Sequence, residues 1–164
     1  MSLLVTGLVI LTGLLVVGLV VWYVLPRRFR GSESVASAYD NWTQDQLLER
    51  LWGEHIHLGY YGDPAQGRDF RGAKQDFVDA LAQWGGLEGL PAGTKVLDVG
   101  CGIGGSSRRL ASRYGFDVLG VSISPGQVER ATELTAPDLS CRFAVMDARK
   151  LDLPDACMDV VWTV

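Results

Sequence analysis

A chain of 164 residues is long enough for one domain with a real core. Its net charge of −4 offers no broad basic surface and argues against a nucleic-acid partner. The three cysteines, Cys101, Cys141 and Cys157, have neither CxxC spacing nor a disulfide framework; they suit a reducing compartment and read as small buried residues.

Residues 3–25 carry no charge, and Pro26 ends the run. As a helix this run is roughly 34 Å long, enough for a hydrocarbon core of about 30 Å. Trp22 and Tyr23 sit where an interfacial aromatic belt would lie, and Arg27, Arg28 and Arg30 follow at once. A secretory signal peptide would want a positive leading region and a shorter apolar core. A buried core helix would not be followed by a basic cluster. The expectation is a transmembrane anchor over residues 1–26. The basic flank places everything after it on the cytoplasmic side of a plasma or thylakoid membrane.

Residues 31–34 read as a short polar linker. Thr43 and Gln46 match the capping-box pattern Thr-x-x-Gln, with Leu47, Leu48, Leu51 and Trp52 on one helical face and Gly53 as the stop. Asp69 is placed to cap a second helix. Phe70, Ala73, Phe77, Val78, Leu81 and Trp84 keep the helical period up to Gly85-Gly86. From Lys95 the pattern changes. Val96-Leu97-Asp98-Val99 is a strand, residues 106–114 a helix, 116–121 a second strand. Ser124 caps a helix with Pro125 at its first position and Gln127 completing Ser-x-x-Gln. Residues 142–145 and 158–164 are further strands. Strands alternating with helices predict an α/β fold with a parallel sheet, its ligand beyond the C-terminal strand ends.

The strongest motif is Val96-Leu97-Asp98-Val99-Gly100-Cys101-Gly102-Ile103-Gly104-Gly105. Gly100 and Gly102 let backbone approach a ligand with no Cβ in the way. The spacing alone fits both G-x-G-x-G and the dinucleotide form G-x-G-x-x-G. A nicotinamide oxidoreductase would place an acid, or an Arg for a 2′-phosphate, at the end of the second strand. Here that strand ends Gly120-Val121-Ser122. Asp98 lies inside the first strand, suited to orient the loop or to answer a cationic ligand, or simply to be tied to loop amides. Asp147-Ala148 follows the third strand, where a carboxylate can accept a hydrogen bond from an adenine amino group.

The block over residues 96–111 resembles motif I of class I S-adenosylmethionine-dependent methyltransferases. Ala38-Tyr39-Asp40-Asn41-Trp42, Trp52-Gly53-Glu54-His55-Ile56-His57-Leu58-Gly59-Tyr60-Tyr61 and Gly120-Val121-Ser122-Ile123-Ser124-Pro125-Gly126-Gln127 resemble the tocopherol and plastoquinol branch of that family. The resemblance implies a Rossmann-like methyltransferase sheet over residues 91–164, behind a linker and helical cap over residues 27–90. It implies S-adenosylmethionine as cofactor, with Gly100, Gly102 and Gly104 lining its amino-acid and ribose portion. The usual acidic ribose ligand is replaced by Ser122, so Ile123 and Gln127 take that contact. Asp147 and Ala148 bracket the adenine, and Tyr39 with the loop over residues 57–61 closes over the cofactor. Family sheets usually have seven strands. On that pattern the chain stops after the fourth, which leaves an exposed edge and a segment inactive by itself.

The implied reaction is methyl transfer to a ring carbon of a lipid-soluble prenylated benzoquinol. A tocopherol or a sterol is an alternative acceptor, and a non-catalytic membrane-bound remnant an alternative role. A sulfonium methyl is already electrophilic, so the protein mainly aligns it and excludes water. A ring carbon becomes nucleophilic when a neighbouring phenol loses its proton. His55 and His57, the only histidines, are the base candidates, against a plain loop-tethering role. Tyr60 and Tyr61 either pack on the reacting groups or serve as lid packing.

Overall fold

A computed structural model describes residues 3–24, 31–62 and 67–164. The chain divides into two units, residues 1–30 and 31–164.

The first unit is one helix, α1 (Leu3–Val24), of 22 residues with no acid in its first turn and no base in its last. Ile10, Leu14, Val17 and Val21 are all exposed along it. The uncharged run is therefore helical, as expected, but spanning is a separate matter. Among the described residues no helix is long and apolar enough to cross a membrane. Pro26 and the arginines at 27, 28 and 30, like the side chains of Trp22 and Tyr23, lie outside the described part.

The second unit begins with α2 (Ser32–Gln44) and α3 (Leu47–Trp52). Two expectations fail here. Residues 32–34 are not linker but the first turn of α2, because Val35, Ala38, Tyr39 and Trp42 recur at helical spacing and extend the helix back to Gly31. Thr43 does not cap α3: it lies inside α2, where its hydroxyl donates to the Tyr39 carbonyl (2.9 Å). Gln46 takes the cap position in a left-handed conformation (φ 52°), and Asp45 Oδ1 accepts from the Leu47 N–H (2.9 Å). Gly53 ends α3 as expected, at φ 85°.

Helix α4 (Phe70–Trp84) starts at the expected cap, with Asp69 accepting from the Arg71 and Gly72 N–H groups. After a single 3-10 turn (Leu87–Gly89) the β/α pattern runs β1 (Lys95–Val99), α5 (Gly105–Tyr114), β2 (Asp117–Ser122), α6 (Pro125–Glu133), β3 (Cys141–Val145) and β4 (Val160–Trp162). The sheet order is β3-β2-β1-β4, parallel throughout. This is the α/β Rossmann-like arrangement expected.

The period of two along the strands divides the core. Val96 and Val118 face α4 and α5, where they pack with Val78, Leu110, Phe116 and Trp162. Leu97, Leu119 and Val121 form the second cluster on the opposite face. Phe116, Leu110, Val78, Val96 and Val118 are fully buried. β4 is an edge strand, with Trp162 buried and Val161 exposed. Of the cysteines only Cys101 is buried; Cys141 and Cys157 are half-buried, contrary to expectation. Cys141 sits at the start of β3, at the edge of the sheet, where fewer neighbours cover it.

Candidate functional site

Register brings the site together. Val99 pairs with Val121 and Ser122 with Val145, so the C-terminal ends of β1, β2 and β3 lie side by side. The residues that follow them are Gly100, Ile123 and Met146-Asp147.

The Gly100 and Cys101 N–H groups both donate to the Val121 carbonyl (2.9 and 3.1 Å), which locks the glycine turn onto the end of β2. Gly100 and Gly102 have φ of 78° and 56°, where a side chain is strained, and a Cβ on either would meet nothing within 4 Å. That open space above bare backbone is what a bound ligand needs. Gly104, expected beside them, has a different surrounding. A Cβ there would come within 2.5 Å of the Phe143 ring, so this glycine admits a packed aromatic. Gly105 likewise admits the Glu54 carbonyl and the His55 ring.

Asp98 is 2% exposed, and its carboxylate accepts from the Ser107 hydroxyl of α5 (2.5 Å) rather than from loop amides. Burial pushes its pKa up to about 6, against the opposing pull of that hydrogen bond.

The β2–α6 turn carries a chain of four hydrogen bonds. The Ser122 hydroxyl donates to Gln127 Oε1 (2.9 Å), and the Ser124 N–H to Ser122 Oγ (3.2 Å). The Gln127 N–H donates to Ser124 Oγ (3.1 Å), whose own hydroxyl donates to Asp40 Oδ1 (2.5 Å). The expected cap is thus half realised. Ser124 caps α6, but the Gln127 side chain turns to Ser122 instead of reaching back to the Ser124 N–H. Ser122, Ser124 and Gln127 are all buried.

The loop after α3 lies over the start of α5. It is held by Lys74 of α4, a buried cation whose Nζ donates to the Trp52 and His55 carbonyls (2.7 Å each) and sits 4.6 Å from the Trp52 ring centroid. Burial lowers the Lys74 pKa, and Arg71 adds to the effect. His57 Nδ1 faces the Leu58 carbonyl (2.8 Å), which can only accept, so Nδ1 carries the proton. His57 Nε2 is then the acceptor for His55 Nδ1–H (3.1 Å). Desolvation, with His57 second, lowers His55 to about 4; desolvation lowers His57 as well. The histidines thus bond to each other, beside Gly105 on one side and Phe77 on the other.

Asp147 is engaged by Arg149 through Nε (3.0 Å), Nη2 (2.7 Å) and the backbone N–H (3.0 Å), which holds its pKa at about 2. Ala148 beside it is exposed. Tyr39 of α2, Ile103 of the glycine loop, Ile56 and Gln127 line a small solvent-open cleft. Tyr60 and Tyr61 are exposed and are not among its lining residues. Sequence reasoning missed Asp40 and Lys74. Asp40 has a partner 84 residues away, which no local pattern reveals; Lys74 reads as a solvated charge.

Residues 96–164 match the family model described as a methyltransferase domain. Over these residues the chain is similar to a methyltransferase domain. It is 58% identical over 158 residues to 2-methyl-6-phytyl-1,4-hydroquinone methyltransferase of a Synechocystis strain, covering 96% of this chain and 49% of that protein. It is 37% identical to the probable chloroplastic tocopherol O-methyltransferase of Oryza sativa, covering 80% of this chain and 38% of that protein. Among solved structures, a putative sarcosine dimethylglycine methyltransferase from Galdieria sulphuraria superposes with a TM-score of 0.65 at 27% identity, over 76% of this chain and 48% of that one. The chain spans about half the length of these relatives or less.

Proposed function

We propose that this chain supplies the cofactor-binding part of an enzyme that transfers a methyl group from S-adenosylmethionine to a ring carbon of a prenylated benzoquinol. The observation that carries the reading is the 58% identity, along 96% of the chain, to a relative named for a phytyl hydroquinone. The match to a methyltransferase domain supports S-adenosylmethionine as the cofactor, and the turn fits such a ligand, because a Cβ at Gly100 or Gly102 would project into open space. When bound, the cofactor supplies an electrophilic methyl. Gly100 and Gly102 approach its amino-acid and ribose portion; Ser122, Ile123 and Gln127 present the ribose contact; Asp147 and Ala148 flank the adenine. Gly104 supports the turn from behind. Asp98, raised by burial, ionises in answer to the sulfonium charge. Tyr39 covers the cleft.

His55 or His57 serves as the base for the phenol proton. Their lowered pKa values keep both neutral at pH 7; His55 accepts through Nε2, whereas His57 accepts only by giving up the bond its Nε2 takes from His55. The uncharged 22-residue α1 anchors the enzyme to a plasma or thylakoid membrane, with the catalytic unit on the cytoplasmic side, and so brings the pocket to a lipid-soluble quinol. Retention of the protein in membranes after alkaline carbonate washing tests the anchor; release overturns it.

The likeness to tocopherol O-methyltransferases supports a second reading, methylation of a phenolic oxygen. Incubating the full-length protein with methyl-labelled S-adenosylmethionine and a panel of prenyl quinols and tocopherols separates the two. A ring-carbon methyl on a benzoquinol is expected. An ether product selects the second reading, and no turnover on any member overturns both.

A further inference from the structure

We propose that Asp40 is a positioning residue for the cofactor site: by holding the Ser124 hydroxyl and the Gly126 N–H, it sets the β2–α6 turn on which Ser122, Ile123 and Gln127 are presented. The inference rests on the S-adenosylmethionine reading above and adds a residue from outside the nucleotide-binding sheet to its machinery.

One oxygen, Asp40 Oδ1, accepts both bonds, at 2.5 Å from Ser124 Oγ and 2.9 Å from the Gly126 nitrogen. A Cβ on Gly126 would lie 3.1 Å from that oxygen, so the glycine lets the carboxylate sit directly on the turn. Ser124 is fully buried, and its hydroxyl is used twice, accepting from the Gln127 N–H and donating to Asp40. The cap of α6 is therefore completed by a charge from α2, placed where the helix dipole favours an anion. Chain neighbours of the two partners, Tyr39 and Gln127, line the same cleft. A second link, the paired bonds from Arg130 to Glu49 (2.9 and 2.8 Å), holds α6 further along. With both in place the cap and the turn move together. Without Asp40 the turn keeps its local bonds and the Met146 N–H to Ser122 carbonyl bond (2.9 Å), and the Ser122–Gln127 pair loses its outer support.

The test is calorimetric titration of S-adenosylhomocysteine into full-length wild-type, Asp40→Ala and Asp40→Asn proteins, at a temperature where each is folded by circular dichroism. Hydrogen exchange is followed at the Gly126 amide. Asp40→Ala is expected to raise Kd about tenfold, as loss of a charge-assisted hydrogen bond does, and to unprotect Gly126. Asp40→Asn keeps an acceptor oxygen and is expected to restore affinity to within about threefold of wild type. A merely structural role would lower the melting temperature and leave Kd of the folded protein unchanged. Should Asp40→Ala fail to fold, Ser124→Ala removes the hydroxyl link alone and is expected to raise Kd about threefold. Normal wild-type binding with Asp40→Ala, or in its place Ser124→Ala, also within twofold overturns this proposal alone. A wild-type protein that binds no S-adenosylhomocysteine overturns the cofactor reading and this proposal with it.

Discussion

Replacing Asp98 by Asn should change how stability depends on pH, by an amount set by its burial. The carboxyl moves from an ordinary 3.8 to about 6 in the folded protein, because burial disfavours its charge. A group raised on folding contributes stability that is complete below the unfolded value and lost as pH climbs through the folded one. That loss is about 3 kcal/mol in all, most of it between pH 4 and 7. His55 works in the opposite sense. Its value falls from 6.5 to about 4, so it costs stability as pH drops through the same window, again by about 3 kcal/mol. In the wild-type protein the two nearly cancel. Asparagine keeps an acceptor for the Ser107 hydroxyl but does not ionise. The Asp98→Asn protein should therefore gain roughly 2–3 kcal/mol on the wild type between pH 4 and pH 7. Urea unfolding of both proteins at pH 4, 5, 6 and 7 measures that difference directly. The same substitution should weaken S-adenosylmethionine binding, since the carboxylate answers the sulfonium. A stability difference that stays within about 1 kcal/mol across the range refutes the argument from burial.

Further substitutions probe the turn, the cap and the histidines. Gly102→Ala, at φ 56°, should cost about 1–3 kcal/mol in thermal unfolding through backbone strain and reduce cofactor affinity at least about tenfold in titration. Lys74→Met removes the donor to two carbonyls beneath the cap loop and should destabilise by about 1–3 kcal/mol, with a change in Trp52 emission as its cation is lost. If His57 is the base, His57→Gln should lower kcat about 100-fold or more and flatten the acid limb of the rate profile. A kcat within twofold leaves the residue a loop tether.

Local chemistry made much of the fold legible. Asp69 and Ser124 announce helix starts because a side-chain oxygen meets N–H groups two or three residues away. The glycine turn is legible because positive φ leaves few other residues possible at 100 and 102. The errors come where tertiary partners overrule local pattern. Thr43 fits a cap, yet α2 runs through it to Gln44. Gln127 completes a capping box on paper, yet Ser122 competes for its amide. Gly104 has a packing role that the motif does not show, because Phe143, some forty positions on, lies against it. Asp40 and Lys74 act on backbone across the fold, and nothing adjacent to them in the chain signals this.

Phe143 has one more consequence. Its ring lies where a Cβ would fall at both Gly104 and Gly120, within 2.5 and 2.6 Å. The three positions are thus bound in their history: neither glycine is free to drift while the ring persists, and a smaller residue at 143 would have to come first. Alanine at 120 then needs a further small adjustment, since its Cβ would still lie 3.0 Å from that of Cys101.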